Sequence, residues 1–274
     1  MPYASPSAAD LPAADLPVLA LHGFLGRGAD WQPVGAAAAR AGARAPHLLA
    51  PDLPGHGAAA DAPPEAFSFE GALATLAAFL DRRRVPQAHL AGYSMGGRLA
   101  LGFALRYPER VASLVLLGAS AGLPTRDARA ARRDLDAARA ADLRRDFPAF
   151  LRAWYRMPLF ASLGPARRDA LVADRLAHGR PEALARALVG LGTGAQPWLG
   201  EQLRALRVPG VAAAGARDAK FVGLARALAA AGPFRVVVVP GAGHALLAEA
   251  PGAVAAILRE AASREAILRA PAAR

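Results

Sequence analysis

The sequence predicts an α/β fold, a mostly parallel sheet with helices on both faces and an inserted helical lid. Three observations carry that prediction. Short leucine-rich or β-branched runs end in glycine or proline turns; helical stretches alternate with them; and from about residue 125 to 191 the alternation stops. The clearest strands are 18–21, 113–117 and 236–239. Those at 47–50, 88–91 and 211–214 are weaker, because alanine dilutes the β signal. Helices are expected over 71–83, 95–107, 223–230 and 252–262. Strands this poor in charge, alternating with helices, belong to a sheet covered on both faces. The interrupting block has no convincing strand and is dense in Arg, Ala, Leu and Asp at helical spacing. The expected division is a core of residues 16–120 and 196–262, a helical lid of 121–195, and flexible ends at 1–15 and 263–274. A block inserted there would cover the carboxyl ends of the strands, where open α/β sheets bind ligands.

Bulk properties narrow the functional classes. Of 274 residues, 54% are hydrophobic and 20% charged, enough apolar material for a substantial core. The net charge is +11, yet Lys220 is the only lysine, and the excess of arginine and alanine reads as codon bias towards G and C. The run Arg82-Arg83-Arg84 has no stacking aromatics beside it, so nucleic acid is not the expected partner. The chain has no cysteine, which excludes disulfides and thiolate metal sites. Residues 1–16 do not read as a signal peptide, and no segment approaches a membrane span of ~20 apolar residues. The expectation is a soluble cytoplasmic protein.

The chemistry centres on Gly92-Tyr93-Ser94-Met95-Gly96, a G-x-S-x-G motif directly after a strand and before a helix. Small residues suit the sharp turn of a nucleophile elbow, and a helix N-terminus favours developing negative charge beside the serine. Two partners should follow in chain order. Asp218 stands at the carboxyl end of strand 211–214, and His244 lies on the loop Pro240-Gly241-Ala242-Gly243-His244 before the last helix. His244 is expected to act as base towards Ser94, with Asp218 fixing its tautomer and stabilising the imidazolium. Upstream, Leu21-His22-Gly23-Phe24 ends the first strand. The backbone N–H groups of Phe24 and Met95 are the expected oxyanion donors. His22, and His56 in Pro51-Asp52-Leu53-Pro54-Gly55-His56-Gly57, are expected to brace loops, while His47, His89 and His178 show no partner pattern. The histidines match no metal-ligand spacing, so no metal is expected.

From Val18 to about Ala262 these landmarks resemble the α/β-hydrolase superfamily. Within it, five stretches resemble one family, the 2-succinyl-6-hydroxy-2,4-cyclohexadiene-1-carboxylate synthases of menaquinone biosynthesis. They are Leu21-His22-Gly23-Phe24-Leu25-Gly26, Gly92-Tyr93-Ser94-Met95-Gly96-Gly97-Arg98 and Arg129-Ala130-Ala131-Arg132 with Asp136. The fourth is Phe150-Leu151-Arg152-Ala153-Trp154-Tyr155 running into Pro158-Leu159-Phe160-Ala161-Ser162-Leu163, and the fifth is Gly215-Ala216-Arg217-Asp218-Ala219-Lys220-Phe221. The resemblance implies an elimination without metal or cofactor. A proton is taken from a succinyl-cyclohexene carboxylate and its enolpyruvyl ether leaves as pyruvate. The substrate carries three carboxylates, which arginine forks match in geometry. Arg98, four residues past Ser94, lies near the same helix face. By resemblance, Arg132 and Arg175 point into the cavity, Trp154 lines it, and Tyr93 is placed to donate a hydrogen bond. Two other readings stay open. One is a carboxylesterase or C–C bond hydrolase working through Ser94; the other is a ligand receptor with a vestigial triad.

Overall fold

The computed structural model describes residues 16–42 and 46–263. The ends 1–15 and 264–274, expected to be flexible, lie outside the described residues. Six strands form one sheet: β1 (Val18–Leu21), β2 (Leu48–Leu49), β3 (Ala88–Tyr93), β4 (Val111–Leu117), β5 (Gly210–Gly215) and β6 (Phe234–Val239). Their order is β2-β1-β3-β4-β5-β6, and every pairing is parallel.

The two-residue period of a strand sends alternate side chains to opposite faces. Leu19, Leu21, Leu90, Leu114 and Leu116 therefore share one core. They meet Leu73, Leu76 and Leu80 of α2 (Phe69–Arg82), Leu99 and Phe103 of α3 (Met95–Arg106), and Leu228 of α8 (Ala219–Ala231). Val18, Ala20, Ala91, Val115 and Leu117 face the other way. Their core is completed by Val34 and Ala38 of α1 (Gln32–Arg40) and by Val254, Ile257 and Leu258 of α10 (Pro251–Ala262).

The expected elements recur with shifted ends. The strand expected at 47–50 is reduced to two residues at the sheet edge, where only β1 offers a partner. The helix expected from residue 223 starts at Ala219, because the Asp218 carboxylate caps it by accepting the Phe221 N–H. Helix α1 was not expected: the run Ala36-Ala37-Ala38-Ala39 leaves no apolar period to read. Tertiary burial of Val34 and Ala38 holds it.

Between β4 and β5 stand four helices, α4 (Arg126–Arg145), α5 (Phe147–Tyr155), α6 (Pro165–His178) and α7 (Pro181–Leu191). The first begins on Thr125, whose hydroxyl accepts the Ala128 N–H at 3.1 Å. The second begins on Asp146, whose carboxylate accepts the Ala149 N–H at 2.9 Å. The last two start with proline at the first helical position, where a missing N–H costs nothing. Their apolar faces, including Leu143, Phe150, Leu151, Leu184 and Leu188, form a third core. That core takes in Leu25 and Ala245, which follow β1 and precede α9 (Leu246–Glu249). The block is thereby seated on loops at the carboxyl ends of the strands. Among the described residues no helix is long and apolar enough to cross a membrane.

After β1 the chain turns to one side, to β2; after β3 it turns to the other, to β4. The loops leaving these neighbouring strands therefore diverge and open a crevice, the usual ligand position of such sheets. His22-Gly23-Phe24 forms one lip and Ser94 the other.

Candidate active site

Ser94 follows β3 and precedes α3 with φ 50° and ψ −109°, a conformation that costs a non-glycine residue ~1–3 kcal/mol. The surroundings impose it. A Cβ on Gly92 would fall on the Gly96 carbonyl, and one on Gly96 would fall on the Leu21 and His22 carbonyls. Only bare glycines let α3 pack this closely on the end of β1, and the chain between them has to turn sharply. The Ser94 N–H is held by the Leu117 carbonyl at 2.8 Å.

His244 Nε2 lies 3.2 Å from Ser94 Oγ, and its Nδ1 lies 2.8 Å from Asp218 Oδ2. With Nδ1–H donating to the carboxylate, Nε2 is left to accept the serine proton. Asp218 uses its other oxygen to accept the Phe221 N–H at 3.3 Å, so one side chain both starts α8 and orients the imidazole. The Phe221 ring packs on His244 with centroids 4.5 Å apart, and Tyr93 lies at 5.4 Å. Glu249 fixes the histidine loop by accepting the N–H groups of Gly243 and Ala245 at 2.9 and 3.0 Å.

Phe24 leaves the end of β1 in a turn closed by the Gly26 N–H on the Gly23 carbonyl at 3.0 Å. A Cβ on Gly23 would lie 3.5 Å from the Ser94 Cβ, so this turn abuts the serine directly. Met95 is the first residue of α3, and its N–H has no acceptor within the helix. His22 and His56 hold the turn in place. His22 Nε2 accepts the Leu53 N–H at 2.9 Å and its Nδ1–H donates to the Gly23 carbonyl at 2.8 Å. His56 Nε2 accepts the Leu25 N–H at 3.2 Å and its Nδ1–H donates to the Pro54 carbonyl. Burial lowers their pKa values to about 4 and about 3, so both are neutral at pH 7.

A cavity of about 210 Å³ adjoins the triad, lined by Gly23, Phe24, Tyr93 and Ala245 on the core side. Tyr155 and Arg175 line it from the helical block. Arg175 is tied down: its guanidinium grips Asp30 at 2.6 and 2.9 Å, touches Asp174, and reaches the Tyr155 hydroxyl at 3.3 Å. Burial opposes its charge, but Tyr155 and Asp30 outweigh that, and its pKa is raised. Arg27 completes a balanced quartet by donating to Asp174 at 2.6 Å. Arg98, Arg132 and Trp154 lie outside this lining. Trp154 packs edge-on to Phe24, with Arg139 over its ring at 5.5 Å. Arg132 donates to Asp136 at 2.8 Å, and Arg98, only 8% exposed, donates to Gln196 Oε1 and the Leu191 carbonyl.

Residues 17–251 match the family described as alpha/beta hydrolase fold. The 2-succinyl-6-hydroxy-2,4-cyclohexadiene-1-carboxylate synthase of Klebsiella pneumoniae (strain 342) is 39% identical over 77% of this chain and 81% of its own. The chain belongs to the α/β-hydrolase fold family and, within it, to these synthases. The structure of MenH from S. aureus is similar at a TM-score of 0.80 and 28% identity, covering 89% of this chain and 92% of that one. A thermophilic esterase from Thermogutta terrifontis, solved with malate bound, follows at a TM-score of 0.73 and 27% identity, covering 89% and 88%.

In this synthase-family chain, several site residues carried no signal in the sequence. Asp30, Asp174, Gln196 and Glu249 act through partners that fold against them, and single polar residues on loops or helix faces announce nothing. Glu249 had the best chance, standing five residues past His244.

Two predictions follow from the packing. Gly96→Ala should cost about 1–3 kcal/mol by forcing backbone apart, seen as a lower denaturation midpoint together with lost activity. For His22 and His56, folded pKa values below the ordinary 6.5 mean that stability is complete above that pH. It falls as the unfolded chain binds protons that the folded chain refuses, down to about pH 4 and about pH 3. Between about pH 7.5 and pH 5 the loss should be ~2 kcal/mol per histidine. Urea titrations at the two pH values measure it, and a flat profile contradicts the burial argument.

Proposed function

We propose that this chain eliminates pyruvate from 2-succinyl-5-enolpyruvyl-6-hydroxy-3-cyclohexene-1-carboxylate. The product is 2-succinyl-6-hydroxy-2,4-cyclohexadiene-1-carboxylate, on the route to menaquinone. The observation that carries the reading is the Ser94–His244–Asp218 relay beneath an arginine-bearing helical cover, in a chain 39% identical to a protein of that name. In this reading residues 121–195 are the lid over a core of 16–120 and 196–262, and the enzyme works in the cytoplasm.

Asp218 holds Nδ1–H, so Nε2 of His244 draws the proton of Ser94 and the pair acts as one base. It takes a proton from a ring carbon of the substrate. As that C–H bond breaks, negative charge builds on a carbonyl-type oxygen facing the N–H groups of Phe24 and Met95. The new C=C bond forms while the C–O bond to the enolpyruvyl group breaks. Pyruvate leaves as its enolate and takes up a proton as it becomes the free keto acid. No step calls for a metal or a redox cofactor. In this reading Arg175 and Tyr93 meet the substrate in the cavity they line, while Arg98, Arg132 and Trp154 act from outside that lining.

A carboxylesterase or C–C hydrolase is the second reading, favoured by the same relay in a fold shared with a solved esterase at 27% identity. Rapid turnover of a short-chain p-nitrophenyl ester, with no pyruvate from the enolpyruvyl substrate, would establish it. Under the first reading Ser94→Ala lowers pyruvate release about 10²–10⁴-fold with an unchanged circular dichroism spectrum. Release near the wild-type rate refutes the general-base role. Arg98→Ala and Arg132→Ala should each lose ~1.5–3 kcal/mol of transition-state stabilisation in kcat/KM. Unchanged kinetics would assign that arginine to the protein's own packing.

A further inference from the structure

Among the described residues two arginines are buried, Arg175 held by aspartates and Arg98 held by neutral acceptors, Gln196 among them. The Arg98 guanidinium is 8% exposed and donates Nη1 to Gln196 Oε1 at 3.1 Å and Nη2 to the Leu191 carbonyl at 2.9 Å. Both acceptors are neutral. Among the described residues no carboxylate contacts it, since Asp136 spends one oxygen on Arg132 and leaves the other without a partner. A buried cation without a counter-ion is costly, and the usual remedy is an acid beside it. Burial first, then repulsion from Arg132, lowers its pKa to about 10 against the smaller opposing pull of Asp136, still far above neutrality. The charge is therefore retained on the nucleophile helix with no carboxylate in contact, and its backbone N–H is bonded to the Ser94 carbonyl at 3.1 Å.

Gln196 itself is fully buried, and its Nε2 has no hydrogen-bond partner. It sits where the chain returns from α7 to the core. There the Leu199 N–H is bonded to the Ala121 carbonyl at 2.9 Å, and a Cβ on Gly122 would lie 3.0 Å from Gln196 Nε2. Entry and exit of the inserted block are thus stitched together around this amide.

We propose that Gln196 is a positioning residue that fixes the Arg98 fork without neutralising it, keeping a buried positive charge available for a substrate carboxylate. A glutamate of the same shape would make a better structural partner and a worse enzyme. Its carboxylate would satisfy Arg98 internally, as Asp30 satisfies Arg175. The inference rests on the reading of Arg98 as a carboxylate anchor.

The test compares full-length wild type with Gln196→Glu and Gln196→Met in three measurements: thermal midpoint, KM and kcat for pyruvate release, and calorimetric binding of succinate as a dicarboxylate probe. Gln196→Glu should melt at or above the wild-type temperature. It should nevertheless raise KM and weaken succinate binding by about tenfold or more, the size of one charged hydrogen bond lost, with kcat falling less than KM rises. Gln196→Met should melt lower but retain tighter succinate binding than Gln196→Glu. A purely structural glutamine gives the opposite ranking, with Gln196→Glu near wild type in KM and succinate affinity, and that result overturns the proposal. If Gln196→Glu fails to fold, the thermal prediction has failed and the proposal with it. A wild type that releases no pyruvate, but whose succinate binding still collapses in Gln196→Glu, sinks the functional reading and leaves the positioning role standing.

Discussion

Ser94 stands at φ 50° because the backbone of α3 approaches the end of β1 more closely than any side chain permits. That close approach governs the rest of the site. It brings the Met95 N–H, at the open end of a helix, beside the turn that carries Phe24. It projects the serine hydroxyl away from the sheet, towards the loop after β6 where His244 waits. It also places the site at the point where the connections from β1 and β3 diverge, so the crevice exists before any side chain fills it. The two buried histidines extend the same constraint outward. Each is neutral and each spans two loops, so the Phe24 turn rests on groups that cannot change charge near neutral pH without opening the core.

The arginines above the serine divide by what already holds them. Arg175 and Arg27 are matched with Asp174 and Asp30 in a closed quartet. An incoming carboxylate there has to compete with two resident ones, and the gain is correspondingly small. Arg98 has only neutral hydrogen-bond acceptors, so a carboxylate is the charge-assisted partner it lacks. The quartet also joins α6 to the loop after β1, and so ties the helical block to the turn that carries Phe24. Its ion pairs hold the block down.

The sheet was legible because its strands are buried on both faces. Leu114-Val115-Leu116-Leu117 reads as a strand in any context, and the alternation of Leu19 and Leu21 against Val18 and Ala20 divides the two cores as the pleat requires. The contacts of Ser94, His244 and Asp218 were legible because each residue follows a strand end, in the order that position and sequence together suggested. What the chain hid was pairing across distance. Arg98 and Arg175 both stood out as arginines, yet nothing local says that one meets an aspartate 145 positions away and the other a glutamine 98 positions away. Helix α1 was hidden for a different reason, since alanine favours helix without marking which face is inward.

A serine 3.2 Å from an imidazole can attack an acyl carbon or relay a proton, and nothing in the triad distinguishes the two. What surrounds it does. An acyl-enzyme mechanism needs an apolar pocket for the acyl group and free access for water in the second half-reaction. An elimination needs neither. It needs a polyanion held rigidly against its own desolvation cost, while one more negative charge develops on the same molecule. A buried cation one helical turn past the serine, fixed by neutral acceptors, lowers both costs at once. Under the proposed function it attracts the substrate from water and stays to offset the charge that builds as the proton leaves. The same cation gives little to the hydrolysis of a neutral ester. In the proposed function it is therefore the Arg98 environment, more than Ser94, that favours the relay acting as a base.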